Sequence, residues 1–143
     1  MSLIGDYDNN NIFAKILRGD MPCAKVYEDD DVLAFMDVFP QSRGHTLVIP
    51  KVPSRNLLDT NADVAATVIQ RTQAIAKAVN AALKPDGIII TQFNGAPAGQ
   101  TVFHLHFHII PSYEGGDMKP HAAGAMADMA ELAELSAAIS AKI

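Results

Sequence analysis

The segment from Val102 to Ile110 reads V-F-H-L-H-F-H-I-I and constrains the fold more than any other part of the chain. Polar and apolar residues alternate in it and Pro111 follows, a pattern that predicts a strand. Side chains on a strand point alternately to its two faces, so His104, His106 and His108 share one face. The other face is wholly apolar and is expected to pack on a core: Leu105, Phe107 and Ile109.

Three imidazoles on one strand face are compatible with two kinds of site. They could bind Zn²⁺, or one could act as a nucleophile that its neighbours tune. The preceding loop, 94–101 (NGAPAGQT), favours the second, because its glycines admit close approach and its amides, with Asn94 and Thr101, suit phosphate oxygens. A metal site would usually add a nearby carboxylate or cysteine, and none is evident. The pattern indicates phosphoryl or nucleotidyl transfer, and a zinc-dependent metalloenzyme remains an alternative.

The other periodicities predict an α+β fold with a mainly antiparallel sheet of about five strands. Helical spacing predicts an N-terminal helix, a long central helix and a C-terminal helix, at 12–18, 61–83 and 125–142. Four further strands are expected at 24–28, 32–37, 45–50 and 87–93. The segment 112–124 contains Gly, Pro and His and is expected to be irregular.

Composition narrows the class of protein. A chain of 143 residues fits one domain, 1–143. Its net charge of −5 argues against nucleic-acid binding. Its single cysteine allows no internal disulfide. No apolar run approaches a membrane span, and the polar N-terminus is unlike a signal peptide. We therefore expect a cytoplasmic protein that binds neither nucleic acid nor membranes.

The triad segment, preceded by Gly99-Gln-Thr101, resembles the signature of the histidine-triad (HIT) superfamily. Three earlier segments resemble the family in the same order: an opening helix at 12–16, a strand ending in a ribose-binding acid at 33–37, and the next strand at 44–51. The resemblance covers about 12–111 and leaves 112–143 as a C-terminal extension. It implies a HIT-like fold and a homodimer whose sheets join across the two-fold axis.

The resemblance also implies catalytic roles. His106 would attack phosphorus and form a nucleotidyl-histidine that water resolves, while the carbonyl of Gly99 accepts the proton on its other ring nitrogen. His108 would lie near the scissile bridging atom and, with Thr101, assist departure of the leaving group. Two supporting histidines would orient and polarise the centre: His104 and His45.

For the nucleotide, the resemblance implies that Asp37 binds the ribose hydroxyls. Asn94 and the amides near Gln100 and Thr101 would stabilise charge on the non-bridging oxygens. Five apolar residues would enclose the base: Ile12, Phe13, Ile16, Val38 and Leu47. The purine preference comes from the resemblance alone.

Two features depart from the family pattern or lie outside it. Many bacterial members carry a Cys-x-x-Cys pair in the first helix that completes a structural zinc site. The matching positions here are Asn11 and Ala14, so we expect no zinc there. His121 lies outside the motif and is expected at the surface unless the tail folds over the site.

The leading hypothesis is a phosphoramidase-like hydrolase that cleaves purine nucleoside monophosphate esters or amidates without metal or cofactor. Three alternatives stay open: a dinucleoside polyphosphate hydrolase on the same scaffold, the zinc-dependent metalloenzyme, and a nucleotide-binding regulatory module.

Overall fold

The computed structural model describes residues 3–116, 118–121 and 125–143 and confirms the α+β fold. Within these ranges, no helix is both long enough and apolar enough to cross a membrane. The helices are α1 (Ile12–Leu17), α2 (Ala62–Leu83) and α3 (Met129–Ser140). The strands are β1 (Lys25–Glu28), β2 (Val32–Met36), β3 (Thr46–Pro50), β4 (Gly87–Thr91) and β5 (Phe107–Ser112).

All five strands form one sheet in the order β1-β2-β3-β5-β4, and every neighbouring pair is antiparallel. β3 and β5 are therefore central neighbours although a long helix separates them in sequence. In their register Leu47 lies opposite His108, and Val48 lies opposite Phe107. This pairing brings the histidine segment beside the strand that follows His45.

Each face of the sheet has its own apolar cluster. Helices α2 and α3 pack on one face against alternate residues of β2, namely Val32, Ala34 and Met36. The short helix α1 packs on the other face through Phe13, against Leu33 and Phe35. Burial of both faces is what a central strand of uninterrupted apolar sequence demands, because each face must leave water.

The strand predicted to carry the three histidines begins later than the alternation in the sequence predicts. β5 begins at Phe107 rather than Val102, and it continues through Pro111, which was expected to end it. Its pairing with β3 starts only at Phe107. Before that point the N–H of Leu105 donates to the carbonyl of Ser54, 2.8 Å away, instead of to a strand. His104 and His106 therefore precede the strand.

The remaining boundaries differ by a few residues. β4 ends at Thr91 instead of residue 93, and α3 begins at Met129 instead of residue 125. In the segment predicted to be irregular, Ser112 belongs to β5. Residues 117 and 122–124 of that segment lie outside the described residues, so the prediction is not tested there.

Candidate active site

The three histidines of the motif and His45 form one buried group, here called the histidine cluster. The exposed fraction of each side chain is 5% or less. The ring centroids of His106 and His108 are 4.9 Å apart, and those of His45 and His108 are 5.2 Å apart. Phe13 of α1 packs its ring edge-to-face against His106, with centroids 4.9 Å apart. The cluster thus lies on the α1 face. Its three motif histidines lie together, as the alternation predicts, even though only His108 lies within β5.

His106 has the protonation pattern of a nucleophile. Its Nδ1 lies 2.7 Å from the carbonyl oxygen of His104, which can only accept, so Nδ1 carries the proton and Nε2 keeps its lone pair. Burial lowers the pKa of His106 to about 4, against a smaller upward effect of that hydrogen bond. The expected acceptor was the carbonyl of Gly99. This detail was wrong, because the chain turns back at residues 102–104 and brings the nearer carbonyl of His104 under the ring.

A chain of hydrogen bonds fixes the proton of His108 as well. The backbone N–H of Gln41 donates to Nδ1 of His45 at 3.0 Å, so the proton of His45 is on Nε2. That Nε2 donates to Nδ1 of His108 at 2.9 Å, which leaves the proton of His108 on its own Nε2. This Nε2 is buried and has no hydrogen-bond partner among the described residues. The site therefore presents a free N–H donor beside His106.

His104 is held from both sides. Its Nε2 lies 2.8 Å from the carbonyl oxygen of Pro50, and the hydroxyl of Tyr7 lies 2.5 Å from its Nδ1. Donation to the carbonyl leaves Nδ1 as the acceptor for the Tyr7 hydroxyl. Sequence reasoning missed Tyr7, since nothing near it in the chain indicates a contact with residue 104.

Asp37 lies directly after β2, next to the histidine cluster. One carboxylate oxygen accepts the N–H of Phe39 at 2.9 Å, and the other lies 3.4 Å from Nε2 of His45. Burial raises the pKa of Asp37 to about 6, although the hydrogen bond from Phe39 and the charge of His121 act to lower it. The carboxylate is the one acidic group at the cluster among the described residues, where the resemblance expects the ribose-binding acid.

Among the described residues, the group that could hold a metal ion includes one of the three motif histidines, His108. Ligand atoms of Asp37, His45 and His108 lie within 4.8 Å of one another. His104 and His106 instead use their nitrogens on backbone carbonyls, as described above. A cation at this position would displace the proton shared between His45 and His108. One of the two positions that match the family's cysteine pair, Asn11, instead caps the N-terminus of α1. Its side chain accepts from the N–H groups of Phe13 and of Ala14, the second matching position.

The loop before the motif is folded by its own polar groups. The side chain of Gln100 is buried, accepts from the N–H of Gly95 and donates to the carbonyls of Arg55 and Val102. Asn94 accepts the N–H of Leu57 and pairs with the amide of Gln92.

Two of the groups expected to bind phosphate, the N–H of Gln100 and the side chain of Asn94, are therefore wholly or partly engaged within the protein. The N–H of Gln100 donates to the carbonyl of Gly95, its side-chain amide is used as above, and Asn94 is held by its neighbours. Thr101 is exposed, and among the described residues its hydroxyl has no hydrogen-bond partner. Gly99 has a φ of 114°, and a Cβ there would lie 3.3 Å from the ring of Phe93. That position requires glycine.

The residues expected to enclose the base lie mostly beside α1. Phe13 and Leu47 are buried in the α1-side cluster, and Ile16 packs against it. Ile12 is 40% exposed at the start of the helix. Val38 is half-buried and also contacts the cluster beneath α2 and α3.

The tail does fold over the site. Nε2 of His121 lies 2.7 Å from the carbonyl oxygen of Gly99, and its ring centroid lies 5.2 Å from that of His108. Phe93 contacts both imidazoles, with centroids 5.4 Å from His108 and 4.7 Å from His121. Sequence reasoning gave no role to Phe93. For His121 the only available signal was a histidine in an otherwise uninformative tail.

Comparison with known proteins gives consistent matches. A family model described as "HIT domain" matches residues 18–115. The chain is 46% identical over 108 residues to "Protein hit" of Bacillus subtilis, covering 76% of this chain and 74% of that protein. It is 42% identical over 106 residues to "Adenylylsulfatase HINT3" of Arabidopsis thaliana, covering 74% of this chain and 54% of that protein. A crystal structure of a Hit-like protein from Bartonella henselae, described as involved in cell-cycle regulation, superposes with a TM-score of 0.92 at 52% identity, covering 97% of this chain and 100% of that one.

Proposed function

Because this chain belongs to the HIT domain family, we propose that it is a phosphoramidase-like hydrolase of purine nucleoside monophosphate esters or amidates. The single observation that carries the proposal is the pairing of two nitrogens. His106 offers a neutral lone pair on Nε2, and His108 offers an unpartnered N–H on its own Nε2. A nucleophile beside a donor is the minimum that displacement of a poor leaving group at phosphorus requires.

In the proposed first step Nε2 of His106 attacks phosphorus and forms a nucleotidyl-histidine. The N–H of His108 hydrogen-bonds to the bridging atom and stabilises the charge that develops there, and a leaving amine departs neutral because its bridging nitrogen takes a proton from solvent. His45 holds His108 in the tautomer that has this proton. In the second step water cleaves the phosphorus–nitrogen bond and releases the nucleoside monophosphate.

The proposed nucleoside site surrounds this centre. Asp37 accepts hydrogen bonds from the ribose. The apolar residues in and beside α1, including the exposed Ile12, cover the base. The exposed hydroxyl of Thr101 contacts the phosphate or the leaving group. HINT3 is named for action on adenylyl sulfate, so sulfate joins amines and nucleotides among the leaving groups to be tested.

We further propose that the protein is a homodimer formed through β4. This strand is at one edge of the sheet, and its Ile89 and Ile90 are 45% and 43% exposed. Beside it, Ile69 of α2 is 45% exposed and lines a groove of about 530 Å³ together with Ile90. An unpaired edge flanked by exposed isoleucines suits a second copy of the same strand.

The proposed activity is tested by turnover of adenosine 5′-phosphoramidate, a diadenosine polyphosphate and adenylyl sulfate, with chelator present. We expect chelator-resistant release of AMP that falls by at least about 10³-fold in His106→Asn, because a covalent catalyst without its nucleophile keeps only binding and electrostatics. AMP affinity should change little, and Glu134→Ala, at an exposed residue of α3 outside the proposed dimer groove, is the matched control.

The outcomes separate the alternatives. Preference for the polyphosphate would make the protein a dinucleoside polyphosphate hydrolase on the same scaffold. Loss of activity with chelator would favour a metal held by Asp37, His45 and His108. AMP binding without turnover of any compound would leave a nucleotide-binding regulatory module.

A further inference from the structure

The tail adds a fifth imidazole to the histidine cluster. The chain has five histidines in all, and His121 lies against His108 with the two rings at 84° to each other. His121 is half-buried, and its presence lowers the pKa values of His45, His106 and His108, with burial as the larger cause in each. A histidine from outside the motif thus lies within electrostatic range of every group that the proposed reaction uses.

Two nitrogens of these five rings are buried and unpartnered among the described residues, and they are complementary. One is Nε2 of His108 and the other is Nδ1 of His121. The carbonyl of Gly99 can only accept, so Nε2 of His121 donates to it, and the neutral ring keeps its lone pair on Nδ1. One free donor and one free acceptor on adjacent rings suit a small group that both accepts and donates, such as water.

The geometry of displacement at phosphorus requires the leaving group of the first step and the water of the second step to occupy the same position in turn. The attacking and leaving atoms lie roughly in line through phosphorus. The leaving group therefore departs opposite His106, and the water that cleaves the intermediate must approach from the same side. The place beside the N–H of His108 holds first the bridging atom and then this water.

Resting on the proposed function, we propose that His121 is a catalytic residue, the general base of the hydrolytic step. The water oxygen bonds to phosphorus as the phosphorus–nitrogen bond breaks, and that electron pair returns to Nε2 of His106. One proton of the water passes to Nδ1 of His121, which later loses it to solvent. His108 cannot take this proton, because its Nε2 already carries one and its Nδ1 accepts from His45.

Rapid-quench kinetics with an adenosine 5′-phosphoramidate of a fluorescent amine test this role. For His121→Ala we expect a burst of amine of about one equivalent per site, because the first step is intact and the intermediate accumulates. Steady-state turnover should then be about 10²-fold slower than in the wild type. Added imidazole should restore part of it. Met118→Ala removes an exposed side chain from the same tail and should behave as the wild type.

Three results would contradict the proposal in distinguishable ways. Unchanged turnover in His121→Ala would show that the ring is not needed. A slow amine release without a burst, and without rescue by imidazole, would show that His121 only anchors the loop through Gly99. Absence of turnover in the wild type would refute the proposed function itself, whereas the first two results leave that function standing.

Discussion

At Asp37, the proposed binding of the ribose and the folding stability oppose each other. Burial raises its pKa from the ordinary value of 3.8 to about 6. The folded chain therefore holds this proton more tightly than the unfolded chain, and stability falls as pH rises between these two values. A shift of this size corresponds to at most about 3 kcal/mol at neutral pH. A ribose diol that donates to the carboxylate would offset part of that cost.

Asp37→Asn should consequently stabilise the free protein at pH 7 while weakening AMP binding. We expect the free energy of unfolding to rise by about 1–3 kcal/mol at pH 7, and this gain to vanish near pH 4, where the wild-type carboxyl is already protonated. Urea denaturation at both pH values and calorimetric AMP titration measure the two effects. Asp30→Asn, at an exposed carboxylate of the β1–β2 turn, is the control. A variant less stable than the wild type at pH 7 would show that the ionised group is stabilised in place.

For individual residues, the sequence predicted which histidines lie together but not the hydrogen-bond partner of each ring. Alternation and the family resemblance placed His104, His106 and His108 together, and the structure groups them with His45. The partner of His106 depends on the path of the backbone before β5, which periodicity does not encode. Tyr7 and His121 are far from the motif in sequence, so no local pattern could indicate their contacts with it.

The two edge strands of the sheet are protected to different degrees. At β1 the charged pair Lys25 and Glu28 discourages pairing with another strand. At β4 the exposed residues are isoleucines, and no charged residue interrupts the strand. An association through the sheet edge is therefore expected at β4 and not at β1.

Ile90→Lys should convert the proposed homodimer to a monomer. A lysine in the groove beside α2 would place its charge against an apolar partner surface, and desolvation of that charge would oppose association. Light scattering after gel filtration at several concentrations measures the mass. Ile4→Lys, at an isoleucine that is 58% exposed elsewhere, should leave the dimer intact. A wild-type protein of monomeric mass, or a dimeric Ile90→Lys variant, would exclude this interface.

Element types were predicted more reliably than element ends. Apolar patterning predicted the three helices and five strands found among the described residues, because most of them bury at least one face. The predicted start of β5 was five residues too early, since the alternation extends beyond the residues that pair with β3. Strand ends are set by the partner strand, and a single segment carries no information about its partner.

Four imidazoles of the site are buried and uncharged, and they make the stability of the whole molecule depend on pH. Burial lowers the pKa of His45 to about 3 and that of His106 to about 4, and it lowers those of His104 and His108 as well. In the unfolded chain each titrates near the ordinary value of 6.5. Below that pH the unfolded state binds more protons, so stability is complete above about pH 6.5 and falls as pH decreases.

Acidification should therefore destabilise the protein well before ordinary carboxylates titrate. Each histidine contributes a slope of up to about 1.4 kcal/mol per pH unit, and Asp37, which gains a proton on folding in this range, opposes one of the four. We expect a loss on the order of 5 kcal/mol between pH 7 and pH 5, measured as the free energy of unfolding in urea. His106→Asn removes one titrating group and should make the dependence shallower by about one such slope. Equal stability of the wild type at the two pH values would mean that the folded cluster accepts protons freely, and the neutral tautomers assigned to His106 and His108 would then be untenable.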